Sequence, residues 1–220
     1  MRMKGDMGQA HLHSSTFPRA TRWALYAAIA MPVFYFGTQL VAAPFYPQYS
    51  FTQDTASMLG TTDSHHPWIF NLGAMLTGVA GLVGALGLFR ALRTVSWTAL
   101  AGLVALSVVA NGVLSVKAGL FPMPDPRHAS WQFLMPAILA TPLLLLVALW
   151  RQGLALRSYL LCNIVALILM VPLMMHRMAP VFAEGTTQRL FALVVFVPVG
   201  VAGYALVRGE RTKSPVQVAR

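Results

Sequence analysis

The chain of 220 residues is 57% hydrophobic and 10% charged, with a formal net charge of +10 and a mean hydropathy of +0.64. A soluble domain is about one-quarter charged, so this composition excludes a surface that faces water throughout and makes a bilayer the natural solvent. The Lys and Arg residues stand singly at the ends of apolar runs, which fits anchoring at an anionic membrane surface and not nucleic-acid binding; the lone Cys162 cannot form an intrachain disulfide.

Residues 1–22 are expected to be a flexible cytoplasmic tail. The apolar run 23–43 follows, and about 20 such residues cross a hydrocarbon core. It closes on Val41-Ala42-Ala43, small residues of the kind found at a signal-peptide cleavage site. The run is longer than a usual signal core, however, and Pro44 would follow the cut, so it is expected to remain as the first span.

The first loop, PFYPQYSFTQDTASMLGTTDSHHP, contains no Lys or Arg. Ser50 and Gln53 fit a capping box and Gly60 a helix stop. This predicts a short helix over 51–59, with Asp54 and Ser57 on one face. Asp63, His65 and His66 precede Pro67. Adjacent histidines diverge and no established metal-ligand spacing is present, so surface or capping roles are expected and no metal.

The second run, 67–89, carries Gly78, Gly81, Gly84 and Gly87 at every third position; small residues let helix backbones approach in lipid. The third, 95–116, places Ser107, Asn111 and Ser115 on one helical face. An amide at that depth needs a partner, and an interhelical hydrogen bond is the expected one. In the next connection, GLFPMPDPRHASW, Pro126 suits the first position of a fourth helix and Asp125 its N-cap. His128 would then lie within one turn of Asp125 and face the first loop. Runs 131–150, 158–175 and 190–207 complete the chain before a tail at 208–220. Pro136, Pro142, Pro172 and Pro198 are expected to kink them, and Met170, Met174, Met175 and Met178 to act as adaptable packing. Between the last two runs, MMHRMAPVFAEGTTQRLF offers Thr186 or Thr187 as a helix cap, Glu184 as a partner for Arg189 or Arg177, and His176 at a helix end.

No run contains Asp, Glu, Lys or Arg, and alternate connections differ in charge. One side collects Arg2, Lys4, Arg19, Arg22, Arg90, Arg93, Arg151, Arg157, Arg208, Arg211, Lys213 and Arg220. The other has Lys117, Arg127, Arg177 and Arg189. The positive-inside rule then predicts both termini in the cytoplasm. Trp23, Trp68, Trp97, Trp131 and Trp150 all fall at span ends, where amphipathic indoles belong. On this topology Asp54, Asp63, Asp125, Glu184, His65, His66, His128 and His176 gather outside.

YSFTQDTASMLG (49–60), WIFNLGAMLTG (68–78), GLFPMPDPRH (119–128) and QRLFALVVF (188–196) resemble the family called domain of unknown function 998, over nearly the whole of residues 23–207. The resemblance implies a six-helix bacterial or archaeal membrane protein without an established activity.

The expected fold is therefore all-α: a polytopic six-helix transmembrane bundle, multi-pass in the cell (inner) membrane. An outward-facing polar pocket is expected from Asp54, Ser57, Asn71, Asp125, His128, His176 and Arg189. It would bind or process a small polar molecule or lipid head group, without a cofactor or metal. The expected partners are the lipid bilayer and that ligand, and no nucleic acid. Two other readings stay open: a non-enzymatic accessory protein that uses the glycine stripe against a partner, and a haem or metal protein that uses the outer histidines.

Overall fold

A computed structural model describes residues 17–174 and 183–213. Its helices are α1 (Arg19–Ala42), α2 (Pro67–Leu92), α3 (Thr98–Leu120), α4 (Met135–Leu139), α5 (Thr141–Ala148), α6 (Leu154–Met174) and α7 (Glu184–Lys213), with short 3₁₀ turns at Ala43–Phe45, Ala56–Gly60 and Gln132–Leu134. No strand occurs among the described residues. The helices containing α1, α2, α3 and α7 are each long and apolar enough to cross a membrane, and Gln132–Ala148 and Leu154–Met170 are shorter apolar helical stretches, the first of them built from more than one element. His176, Arg177, Met175 and Met178 lie outside the described residues.

Apolar side chains occupy both the inside and the outside of the bundle. Leu25, Met31, Leu88, Val104, Val108, Leu145 and Val199 are fully buried, while Val79, Val83, Leu86, Leu103, Leu106, Ile168 and Leu169 are exposed. Exposed rows of Leu and Val along helices whose few charged side chains lie near their ends suit a hydrocarbon solvent.

Helix α2 packs along both α1 and α3, and the glycine stripe is the reason it can. A Cβ on Gly78 would sit 2.4 Å from the Gly112 carbonyl oxygen of α3. One on Gly84 would sit 2.8 Å from the Ala28 Cα of α1. The stripe is thus occupied within the bundle, where bare backbones gain dispersion contacts.

Run 131–150 is not one continuous helix. Trp131 adopts a left-handed conformation (φ 68°), and the chain then proceeds through the 3₁₀ turn, α4 and α5. Pro136 and Pro142 lie in the first turns of α4 and α5. A proline there lacks only an N–H that has no helical partner anyway, so these prolines start segments where kinks were expected. Pro172 and Pro198 are inside α6 and α7, as is Pro32 inside α1. All five tryptophans are exposed near element ends.

The Phe17 N–H donates to the Glu210 carboxylate (2.5 Å), and Gly203 of α7 lies against Leu25 of α1. The start of α1 and the end of α7 therefore share one face of the bundle. Residues 43–66, 121–134 and the start of α7 meet at the opposite face and form a polar cap.

Candidate functional site

The cap is organised by the first loop and the start of α7. Ser50 and Asp54 close one turn: the Ser50 N–H donates to the Asp54 carboxylate and the Asp54 N–H to the Ser50 carbonyl, both at 2.8 Å. The Gln53 N–H donates to Ser50 Oγ at 3.3 Å. Asp54 thus takes the reciprocal position expected of Gln53. The helix predicted over 51–59 does not form. Thr55 is extended (φ −68°, ψ 153°), and the chain resumes as the 3₁₀ turn Ala56–Gly60.

The physical reason lies far away in sequence. Carbonyls that would accept bonds within that helix accept them from α7 instead. Thr52 O receives the Thr186 N–H (2.9 Å), and Gln53 O the Gly185 N–H (3.2 Å). Arg189 Nη1 donates to Phe51 O (2.6 Å), Asp54 O (2.9 Å) and Gly185 O (2.9 Å). The loop backbone satisfies helix-terminal N–H groups that otherwise lack partners. Gly185 is required for this approach, since a Cβ there would lie 2.3 Å from Asp54 O. Arg189 does not pair with Glu184: its Nη1 is taken by carbonyls, and its buried Nε has no described partner. The helix begins at Glu184, so Thr186 and Thr187 lie inside its first turn and do not cap it from outside. Arg189 Nη2 also donates to the Tyr49 hydroxyl, which donates onward to Thr55 O at 3.2 Å. Burial raises the Tyr49 pKa, with Arg189 pulling the other way. Asn71 Nδ2 donates to Gly60 O (3.1 Å), and its buried Oδ1 has no described partner.

Asp125 is not a helix N-cap. Its carboxylate accepts the Arg127 backbone N–H (2.8 Å) and pairs with the Arg127 guanidinium (2.7 Å), while the His128 N–H closes the turn onto Asp125 O (2.9 Å). The side-chain hydrogen bond from Arg127, followed by its backbone N–H, lowers the Asp125 pKa to about 2. Lys117 fastens this segment to α3: its ammonium donates to Arg127 O (2.9 Å), Ser130 Oγ (3.1 Å) and Ser130 O.

His128 turns away from the Asp125 carboxylate. Its Nδ1 lies 2.8 Å from Phe121 O and its Nε2 3.1 Å from Ser57 Oγ. Of the expected pocket residues, Ser57 and His128 therefore meet. Asp54, Asn71 and Arg189 hold the cap, Asp125 holds its own turn, and His176 is outside the described residues. His65 and His66 are exposed, and no cluster of metal-ligating side chains occurs among the described residues.

Beneath the cap lies a cavity of about 200 Å³ between α1, α2, α3, α4 and α7. Its polar lining includes Tyr35, Ser57, Thr77, Asn111 and Gln188, and its apolar lining includes Phe196. None of the lining residues is charged. Gln188 Oε1 accepts the Ala56 N–H at 2.6 Å. Asn111 is 95% buried (5% exposed), and its carboxamide has no hydrogen-bond partner among the described residues. The expected interhelical bond is absent there, and the amide borders the cavity. Gln188 and Lys117 did not stand out in the sequence. Gln188 follows Thr186-Thr187 in a polar helix start, and Lys117 reads as one more rim charge.

Comparison with curated proteins finds no match, and comparison with solved structures finds none. Residues 28–205 match the family model described as "Protein of unknown function (DUF998)", and the chain belongs to that family.

Proposed function

We propose that this membrane protein binds a small uncharged molecule, mostly apolar with one amide- or hydroxyl-bonding group, in the cavity beneath the cap, and that the cap faces away from the cytoplasm in the cell membrane. The Lys and Arg asymmetry supports the orientation. The observation that carries the binding reading is Asn111, a residue 95% buried whose carboxamide has no described partner and which borders a cavity with no charged lining. Apolar pockets with a few placed polar groups are the usual form of small-molecule sites. An unpaired buried amide costs about 1–3 kcal/mol, which a ligand hydrogen bond would recover. The head-group reading narrows accordingly: a charged head group would meet no counter-charge in this lining, whereas an uncharged amphiphile fits it.

The glycine stripe that favoured an accessory-protein reading is filled by α1 and α3, so it gives no reason to invoke a partner. The test is native mass spectrometry of protein extracted into detergent or nanodiscs. A bound small molecule is expected in wild type. Asn111→Leu, similar in volume and without the amide, should weaken its retention by about 5–150-fold, matching 1–3 kcal/mol, while thermal stability holds or rises. No bound molecule in wild type, or equal retention in the variant, would refute the reading.

A further inference from the structure

We infer that Ser57 and His128 form a nucleophile–base pair that transfers the acyl group of an uncharged ester lodged in the cavity. The inference rests on the cavity being a binding site and adds a reaction at its rim. Three observations combine. Ser57 Oγ and His128 Nε2 are 3.1 Å apart although 71 residues separate them in sequence. Ser57 lines the cavity and His128 does not, so Ser57 is the member of the pair next to the cavity and His128 backs it. The other ring nitrogen, Nδ1, lies 2.8 Å from Phe121 O.

A carbonyl can only accept, so this contact puts the proton on Nδ1 and leaves the Nε2 lone pair toward Ser57. Ser57 then donates to Nε2. A nucleophile beside a base that a third group orients is the arrangement activated hydroxyls need. Here the orienting group is a neutral carbonyl in place of a carboxylate, so the pair is a dyad and stabilises an imidazolium less than a triad would. Gln188 supplies the electrophilic side. With Oε1 fixed by the Ala56 N–H, its amide N–H groups have no partner among the described residues, and the side chain lines the same cavity. A side-chain amide aimed at a developing oxyanion is a known device for acyl transfer.

The chemistry balances with water as the co-reactant. Ser57 Oγ bonds to the ester carbonyl carbon as its proton passes to His128 Nε2 and the carbonyl π pair moves to oxygen. The tetrahedral species collapses and breaks the C–O bond to the alcohol, which leaves with the proton from Nε2. Water then loses a proton to Nε2 and attacks the acyl-serine carbon. The Ser57 oxygen departs and recovers that proton, so one ester and one water become one carboxylic acid and one alcohol.

The test uses the full-length protein in nanodiscs with an uncharged alkyl fluorophosphonate, which phosphonylates activated serines and needs no knowledge of the natural ligand. Intact-mass analysis and peptide mapping should find one adduct, on Ser57. Ser57→Ala should remove it. His128→Gln should slow it by about 100-fold, within the range for a positioned general base, with the melting temperature of both variants near wild type. An adduct elsewhere, no adduct on folded wild type, or wild-type labelling in His128→Gln would overturn the inference. If a variant does not fold, the mapped site in wild type decides alone. The Asn111→Leu binding test fails or succeeds separately, since probe reaction with Ser57 reports nucleophilicity and ligand retention reports the cavity.

Discussion

Replacing Arg189 with Met removes the group on which the cap depends. Its guanidinium donates to three backbone carbonyls, Phe51 O, Asp54 O and Gly185 O, at 2.6–2.9 Å, and to the Tyr49 hydroxyl. Hydrogen bonds from a charged donor contribute about 1.5–3 kcal/mol each in mutational series. A simple sum overstates the effect, because bonds that share one group are not additive and part of the cap is open to water. A loss of about 3–4 kcal/mol in local stability is expected, which raises the population of the opened cap by about 100–1,000-fold. Hydrogen exchange reads this directly. The amides of Ala56, Gly185 and Thr186 bond across the loop–α7 seam and should lose at least about 100-fold protection, while those of Val104 and Val108 in α3 should not change. Arg189→Lys should fall between, since an ammonium cannot reproduce the planar fork. Seam protection within threefold of wild type in Arg189→Met would refute the idea that this side chain holds the cap.

Two further perturbations probe other links. Gly78→Ala places a Cβ 2.4 Å from the Gly112 carbonyl and should cost about 1–3 kcal/mol of overpacking, whereas Gly102→Ala meets nothing within 4 Å and should be neutral or gain up to about 1 kcal/mol of helix propensity; thermal melts of the pair in detergent check the opposite signs. Asp125 has its pKa lowered to about 2 by Arg127, so its pairing is present above the ordinary carboxyl range and is lost as pH falls through about 2; NMR titration of the side-chain carboxyl should find it ionised at pH 3, and a midpoint near the ordinary value would refute the pairing.

Much of the fold is legible because a bilayer leaves few options. Charge-free runs over 67–89 and 95–116 become α2 and α3, and the spacing of Gly78 and Gly84 reports a helix pressed between two others. Local signals failed where they fit two structures equally. Asp125-Pro126 suits a helix start, but Asp and Pro are also the favoured first two residues of a type I turn. The turn prevails because Arg127 engages the carboxylate, and the left-handed Trp131 postpones the helix to Met135. Ser50 through Gly60 suits a short helix only if its carbonyls bond within the segment. Arg189 and the first N–H groups of α7 take those carbonyls, and nothing within ten residues of Ser50 announces it. The contact between Ser57 and His128 is legible only as membership in one set of candidates, because no spacing rule links positions 71 apart.

The division of labour among polar residues follows from the solvent. A charge carried into a low-dielectric interior is costly unless paired, so Arg189, Lys117 and Asp125 sit at the cap, where Arg189 and Lys117 donate to carbonyls and hydroxyls and Asp125 pairs with Arg127. Residues that look most chemical in the sequence are therefore the ones most committed to structure. Neutral amides and hydroxyls carry a smaller desolvation penalty, so they can border a cavity without distorting the bundle. Asn111 and Gln188 illustrate the consequence: one amide has no described partner, the other has only its oxygen engaged, and both line the same space. A site built in this way would select an uncharged ligand by hydrogen bonding and shape. It would also leave Ser57 beside His128 at the rim of that space, two part-buried groups that need no counter-charge until a substrate takes up the developing negative charge.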